Sequence, residues 1–402
     1  MGLKSYPKVY FRLIVAGFSI VMALGLTKAF LPIMAVELDP RGTLVGLVTS
    51  SWFFARAFVE IPSGLIIGKL GRRNLLITGL LLSTFAPIIS VFSNNIYMLM
   101  VGMTIWGLGG GLFFMSSTVA VFDLFETGKR GKAMGALQAV ELIGSFMGAP
   151  IGAIIAGIWG FPPVFSVASL VVSLGLIATF ASREIRNLDV NPSNDLRLKP
   201  FADIVSCLRN RRLVAVSFIN MSRMLVIQGV FFTVLQLHLN TELNMSIEAI
   251  GLVLGCRTGG IMMSTIASGF VAERTGSKPL IAASLIAEAC CLCLFPIVTS
   301  LEQVMLLATV GGIASGFIFT SLTVVMSELV APSVRGVALG VYRTFMDVGG
   351  IVGPIMFAFL YTVYAAWTAF LAAALVFLFC VLVLAIVRHE PNDFSRPAPN
   401  SQ

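Results

Sequence analysis

Twelve stretches of predominantly apolar residues, near 10–36, 44–67, 74–92, 97–122, 132–157, 161–181, 213–238, 247–270, 279–299, 303–329, 336–361 and 364–387, limit what this chain can become. At ~1.5 Å of rise per residue, helices of about 18 to 27 residues cross a hydrocarbon core ~30 Å thick. Backbone polar groups in lipid must find partners inside their own segment, so each run is predicted to be a helix. Charged residues are 11% of the chain against 57% apolar, too few to cover a soluble globule. The bilayer is therefore a partner of the whole chain.

The twelve runs are two copies of one half. Gly64, Gly71, Arg72 and Arg73 mark the turn after the second run, and Gly269, Glu273, Arg274 and Gly276 mark the turn after the eighth, a shift of 205 positions. The same shift carries Gly46 to Gly251, Gly111 to Gly316, Asp123 to Glu328, Gly135 to Gly340, Gly144 to Gly349 and Gly148 to Gly353. A fixed period of this kind means a repeated structural unit. The halves are read as 1–181 and 213–387, with a charged linker at 182–212 and a tail at 388–402. An even number of helices per half gives both copies one orientation, related by an axis along the membrane normal.

The turn Gly64-Leu65-Ile66-Ile67-Gly68-Lys69-Leu70-Gly71-Arg72-Arg73 resembles the signature loop of major facilitator superfamily transporters, and so does its copy at Gly269 to Lys278. Gly68 stands at the acidic position of that pattern and Lys69 at its arginine, whereas the second copy has Glu273 and Arg274 there. The resemblance spans nearly the whole chain. It implies an all-α membrane fold of two six-helix bundles in which helices one, four, seven and ten line a central cavity, helped by two, five, eight and eleven. It also implies alternating access, a small-molecule substrate, a monomer and protons as coupling ion. The family's arginine in helix four corresponds to Met103, and its antiporter motif in helix five to Gly144–Pro150, where the proline comes one place late.

Of the 27 Lys and Arg, 21 lie at the termini and in even-numbered loops, five lie inside the runs and Arg41 lies in an odd-numbered loop. By the positive-inside rule both termini are expected on the cytoplasmic side of a cell membrane. The net charge of +8 is thus a topology signal, and no nucleic acid is expected as a partner. The first run is too long for a removable signal peptide. The six cysteines sit in the runs or the linker, where no disulfide framework or metal site is expected; Cys290, Cys291 and Cys293 point in different directions on a helix. No phosphate-cradling loop and no nucleophile–base or metal-ligand spacing appears, so neither a cofactor nor an enzyme activity is expected.

Charges inside the runs carry the functional reading, because each costs ~3 kcal/mol in mid-bilayer unless paired or wet. The bases are Lys28, Arg56, Arg223, Arg257 and Arg343; the acids are Glu60, Glu141, Glu288 and Asp347. Arg56 and Glu60 share a helix face, as do Arg343 and Asp347. Glu60 and Arg56 lie nine and thirteen residues from Lys69, and Arg343 and Asp347 lie eight and twelve from Arg335, so opposite charges match in depth. Since helices two and eleven face each other in the resembled fold, Glu60 is expected to meet Arg343, and Arg56 to meet Asp347, as a charged latch. Two separate intrahelical pairs are the plainer alternative.

Lys28, Arg223 and Arg257 lack an acid at four-residue spacing and are candidates to attract an anionic substrate group. Glu141 is a weak candidate to answer Arg257; alternatively Glu141 or Asp347 is the protonatable group that couples transport to protons. Glu288 is expected to have a structural partner, and His238 to lie at the interface. Phe53, Phe54, Phe113, Phe114, Phe231, Phe232 and Trp52 supply apolar wall. The resemblance thus implies proton-coupled export of small hydrophobic organic compounds. Alternatives are an organic-anion transporter using Lys28, Arg223 and Arg257, and a membrane sensor without transport.

Overall fold

The computed structural model describes residues 8–39, 44–125, 127–181, 200–330 and 335–385, with side chains except at 60–70, 127, 128, 130, 131, 200–203, 335 and 336. The N-terminal half contains α1 (Lys8–Lys28), α2 (Leu31–Leu38), α3 (Val45–Leu70), α4 (Arg72–Val91), α5 (Ile96–Leu124), α6 (Thr127–Trp159) and α7 (Phe161–Phe180). A linker helix, α8 (Pro200–Arg209), lies inside the expected linker. The C-terminal half contains α9 (Arg211–Glu242), α10 (Ile247–Thr275), α11 (Ser277–Leu294), α12 (Leu301–Glu328), α13 (Arg335–Val363) and α14 (Ala366–Leu384). Eleven of these helices are long and apolar enough to cross a membrane; α3, whose apolar part is Val45–Val59, completes the expected twelve.

The repeat is visible in the joints. Gly71 and Gly276, one shift apart, both take φ of 80° to turn the chain into α4 and α11, a conformation that a side chain resists. Asn95 and Ser300, again one shift apart, cap α5 and α12 by accepting hydrogen bonds from Met98 N and Gln303 N. Close packing repeats as well. Gly107 of α5 rests on the Trp52 carbonyl of α3, and Gly312 of α12 rests on the Arg257 carbonyl of α10, with no room for a Cβ at either place. Lipid gives helices no hydrophobic reason to associate, so such backbone approaches hold the bundles together.

Two elements depart from simple helices. The first apolar run breaks after Lys28 because Pro32 has no N–H to give the Lys28 carbonyl, and the chain resumes as α2. The seventh widens into π-helical turns at Ile227–Val234 and His238–Glu242, where Thr233 Oγ1 donates to the Gln228 carbonyl five residues back at 2.9 Å.

The halves pack on each other at the end opposite the Lys/Arg-rich turns. Ala29 and Ile33 near the start of α2, and Ala149 and Ala153 of α6, belong to the core of the C-terminal half, which also contains Phe231, Phe295 and Phe370. Leu237 of α9 joins the core of the N-terminal half around Trp106, Phe113 and Phe165. Gly46 lies on the Pro354 backbone, Gly251 on the Ala153 side chain and Gly350 on the Phe53 ring. At the basic end, Gly135 of α6, Gly269 of α10 and Gly340 of α13 have no described atom within 4 Å of a Cβ position. The described close backbone approaches across the seam lie toward the far end.

Candidate transport site between the halves

The closed part of the seam ends on a buried charge pair. Arg56 Nη2 of α3 lies 3.5 Å from Asp347 Oδ1 of α13, with side chains 11% and 1% exposed. The guanidinium lies over the Trp52 and Phe114 rings, at 5.4 Å and 5.7 Å from their centroids. These rings limit water around the pair, which strengthens the attraction that offsets its desolvation. The other expected latch pair, Glu60 with Arg343, falls outside the described residues at Glu60.

Glu141 approaches the same region from α6. Its carboxylate lies against α1, where a Cβ on Gly17 would stand 2.9 Å from Oε1, so the glycine makes its seat. It lies within electrostatic reach of Arg343 and Arg56, yet makes no hydrogen bond or ion pair among the described residues. A partly accessible carboxylate between guanidiniums of opposite halves can gain and lose a proton without breaking a fixed contact.

Toward the far end, Gln236 of α9 donates from Nε2 to the Lys28 carbonyl at 2.6 Å. That carbonyl is the one orphaned by Pro32, so a break in one half is satisfied by an amide from the other. Lys28 Nζ lies 3.3 Å from Ser145 Oγ of α6 and 4.8 Å from the Phe232 ring centroid of α9. Ser50 Oγ adds a second cross-seam bond, donating to the Ile351 carbonyl at 2.6 Å.

The expectation that Arg257 is loosely accounted for, or answered by Glu141, is corrected. Arg257 Nη2 donates to Glu288 Oε1 at 2.6 Å, and both side chains are sealed. Gly311 makes this possible: a Cβ there would lie 3.1 Å from Arg257 Nη1, so the missing side chain leaves the guanidinium room to pass between α10 and α12 toward α11. The guanidinium also covers the Phe231 ring at 3.3 Å. Arg257 is thus a structural partner inside the C-terminal half, and Glu288, on a peripheral helix, points inward to meet it.

Arg223 of α9 is 7% exposed; its Nε donates to Asn220 Oδ1 at 3.4 Å and its plane lies 4.8 Å from the Phe319 ring centroid of α12. His238 Nδ1 is 3.0 Å from Glu242 Oε2, and its ring meets Phe370 edge-on. Met103 is buried in the N-terminal core. Around the signature turns, Arg72 pairs with Asp123 at 2.9 Å, and one shift on from Arg73 and Asp123, Lys278 lies within reach of Glu328. Arg274 covers the Phe270 ring at 4.1 Å, Glu273 is exposed, and Gly64 lies among the residues without described side chains.

Gln236, Gly17 and the π-helical turns carried no periodic signal. The one legible hint was Pro32, four residues after Lys28.

Two six-helix bundles with charged groups along their seam define a membrane transporter. The family model described as Major Facilitator Superfamily matches residues 13–232 and 217–401, and the chain belongs to that family. It is similar to the multidrug resistance protein MdtG of Salmonella paratyphi C (strain RKS4594), 25% identical over 373 residues, covering 90% of each chain. It is also similar to MdtG of Escherichia fergusonii, 24% identical over 376 residues, covering 91% of this chain and 90% of that one. Among solved structures, the fold matches the nucleoside transporter NupG at a TM-score of 0.76 and 16% identity, over 95% of this chain and 99% of that one. It also matches the human organic anion transporter MFSD10 at 0.66 and 18% identity, over 94% and 100%.

Proposed function

We propose that this transporter exports small organic compounds from the cytoplasm in exchange for protons, working as a monomer in the cell membrane with both termini cytoplasmic. The observation that carries the reading is Glu141: a carboxylate at membrane depth, seated on Gly17, facing guanidiniums of both halves and held by no fixed partner among the described residues. The likeness to multidrug resistance proteins supports the export of organic compounds. The Lys/Arg-rich turns support the orientation.

Coupling follows from the charge. When ionised, Glu141 of the N-terminal half attracts Arg343 of the C-terminal half and draws the basic end together. When protonated, it releases that attraction and leaves the basic end free to open. Arg56 and Asp347 form the gate latch between the rocking halves, 1–181 and 213–387. Glu141, not Asp347, is assigned the coupling proton, because Asp347 is committed to Arg56.

The test uses the purified chain in liposomes with a trapped pH dye, challenged with lipophilic cations, neutral aromatics and organic anions. Compound-driven proton movement lost in Glu141→Gln is the expected result. Proton movement unchanged in that variant removes Glu141 from coupling, and silence across the panel removes the exporter.

A further inference from the structure

The charged linker ends in a helix that buries one edge and leaves an apolar stripe uncovered. In α8 (Pro200–Arg209), Cys207 is 4% exposed and belongs to the core of the C-terminal half, and the helix packs on α9 and α13. Ile204 and Leu208, one helical turn apart on α8, are 38% and 46% exposed. Ser206, between them in sequence, is exposed on the polar side.

What can cover the stripe depends on where the helix is held. A single residue, Asn210, separates α8 from α9 (Arg211–Glu242), which is long and apolar enough to cross a membrane. Asn210 Oδ1 accepts from the amides of Arg212 and Leu213 at 3.1 Å and 3.2 Å, capping α9. Its Nδ2 donates to the Leu329 carbonyl, just past α12, at 3.4 Å. These bonds fix the joint, so α8 stays within one residue of the point where α9 enters the hydrocarbon. The nearest apolar medium for Ile204 and Leu208 is then lipid.

Charge selects among lipids. Residues 197–212 hold five cations, Arg197, Lys199, Arg209, Arg211 and Arg212, against one acid, Asp203. Arg209 and Arg211 are exposed at the joint. A basic cluster beside a membrane helix attracts anionic headgroups, and a guanidinium donates two parallel hydrogen bonds to a phosphate. An interfacial helix combines both effects, burying its apolar stripe at the acyl boundary while its cations meet the headgroups.

We propose that α8 is a docking surface for anionic phospholipid. Ile204 and Leu208 enter the leaflet at the basic end, and Arg209 and Arg211 bind the phosphates of its headgroups. Because α8 packs on α9 and α13, the docked helix ties the C-terminal half to that leaflet. The proposal goes beyond export and coupling, and neither the exported compound nor the coupling proton enters its test.

The experiment places an environment-sensitive dye on Ile204→Cys, Leu208→Cys or Ser206→Cys of the full chain lacking its six native cysteines. The protein is held in nanodiscs of phosphatidylcholine alone, or of equal parts phosphatidylcholine and phosphatidylglycerol, with spin labels on the acyl chains. In the mixed lipid, dye at 204 and 208 is expected to be quenched at least about threefold more than dye at 206. That difference should shrink at least about twofold in phosphatidylcholine alone, and equally in the mixed lipid when Arg209→Gln and Arg211→Gln are combined. Should that double variant not fold, about 1 M NaCl on the unmutated arginines must give the same loss, since screening then reaches ~3 Å. Equal quenching at 204, 206 and 208, or quenching indifferent to phosphatidylglycerol, overturns the proposal. So does a blue-shifted dye that spin-labelled lipid fails to quench, which would mean that protein covers the stripe. Loss of quenching to excess glycerol phosphate at constant ionic strength would assign the arginines to a soluble phosphate and overturn the lipid partner.

Discussion

Arg56 and Asp347 meet at 3.5 Å, so the two halves of the chain share one buried ion pair where the closed part of their seam ends. If this pair is the latch, its polarity is interchangeable while its complementarity is not. Arg56→Asp or Asp347→Arg alone buries two like charges, and transport in liposomes is expected to fall at least about tenfold, since breaking a buried pair costs ~3–5 kcal/mol. The double exchange is expected to recover most of the activity. A double variant as inactive as either single one removes the latch.

How far this arrangement was readable from sequence depends on how local its causes are. The depth match of Arg56 with Asp347 follows from counting residues along two helices, and the turns at Gly71 and Gly276 follow from a shift that any reader can apply. Arg257 escaped because its partner is chosen by a neighbour's missing side chain. Gly311 opens the passage to Glu288, and nothing in the run containing Arg257 announces a glycine on α12. The π-helical turns of α9 escaped for a similar reason: the added residue changes which side chains share a face without leaving a mark in composition.

The Arg257–Glu288 pair is expected to behave as structure. Arg257→Met and Glu288→Leu each leave a buried charge alone and should lower the thermal unfolding midpoint of the purified protein, with a cost of ~3–5 kcal/mol. The double variant replaces the pair with apolar groups and should regain most of that loss. Singles as stable as wild type would show that water reaches the pair.

The bond from Gln236 to the Lys28 carbonyl predicts a shift in the gate's balance. Gln236→Leu leaves that carbonyl without its donor only while the far end is closed, because opening exposes it to water. Losing the bond should therefore favour opening by ~1 kcal/mol, roughly a fivefold change in population. The reporter is Ala153→Cys, buried in the far-end seam, in a background without the six native cysteines. Its labelling by a membrane-impermeant maleimide added outside is expected to quicken about fivefold. An unchanged rate would mean that other contacts hold the far end shut.

Gly17 gives the coupling proposal its most discriminating test. A Cβ there would stand 2.9 Å from Glu141 Oε1 and 3.3 Å from Leu137 Cδ1, so Gly17→Ala must push the carboxylate off its seat while leaving it in the protein. The displaced group lies at the free end of a flexible side chain, so the helices need not separate and the fold should survive. Proton-driven export is then expected to drop several-fold, toward its loss in Glu141→Gln. Exchange of labelled for unlabelled compound across the same liposomes involves no net proton movement and should persist in both variants. Equal loss of export and exchange in Gly17→Ala would mean that α1 and α6 must simply pack closely there, and that the position of Glu141 carries no coupling.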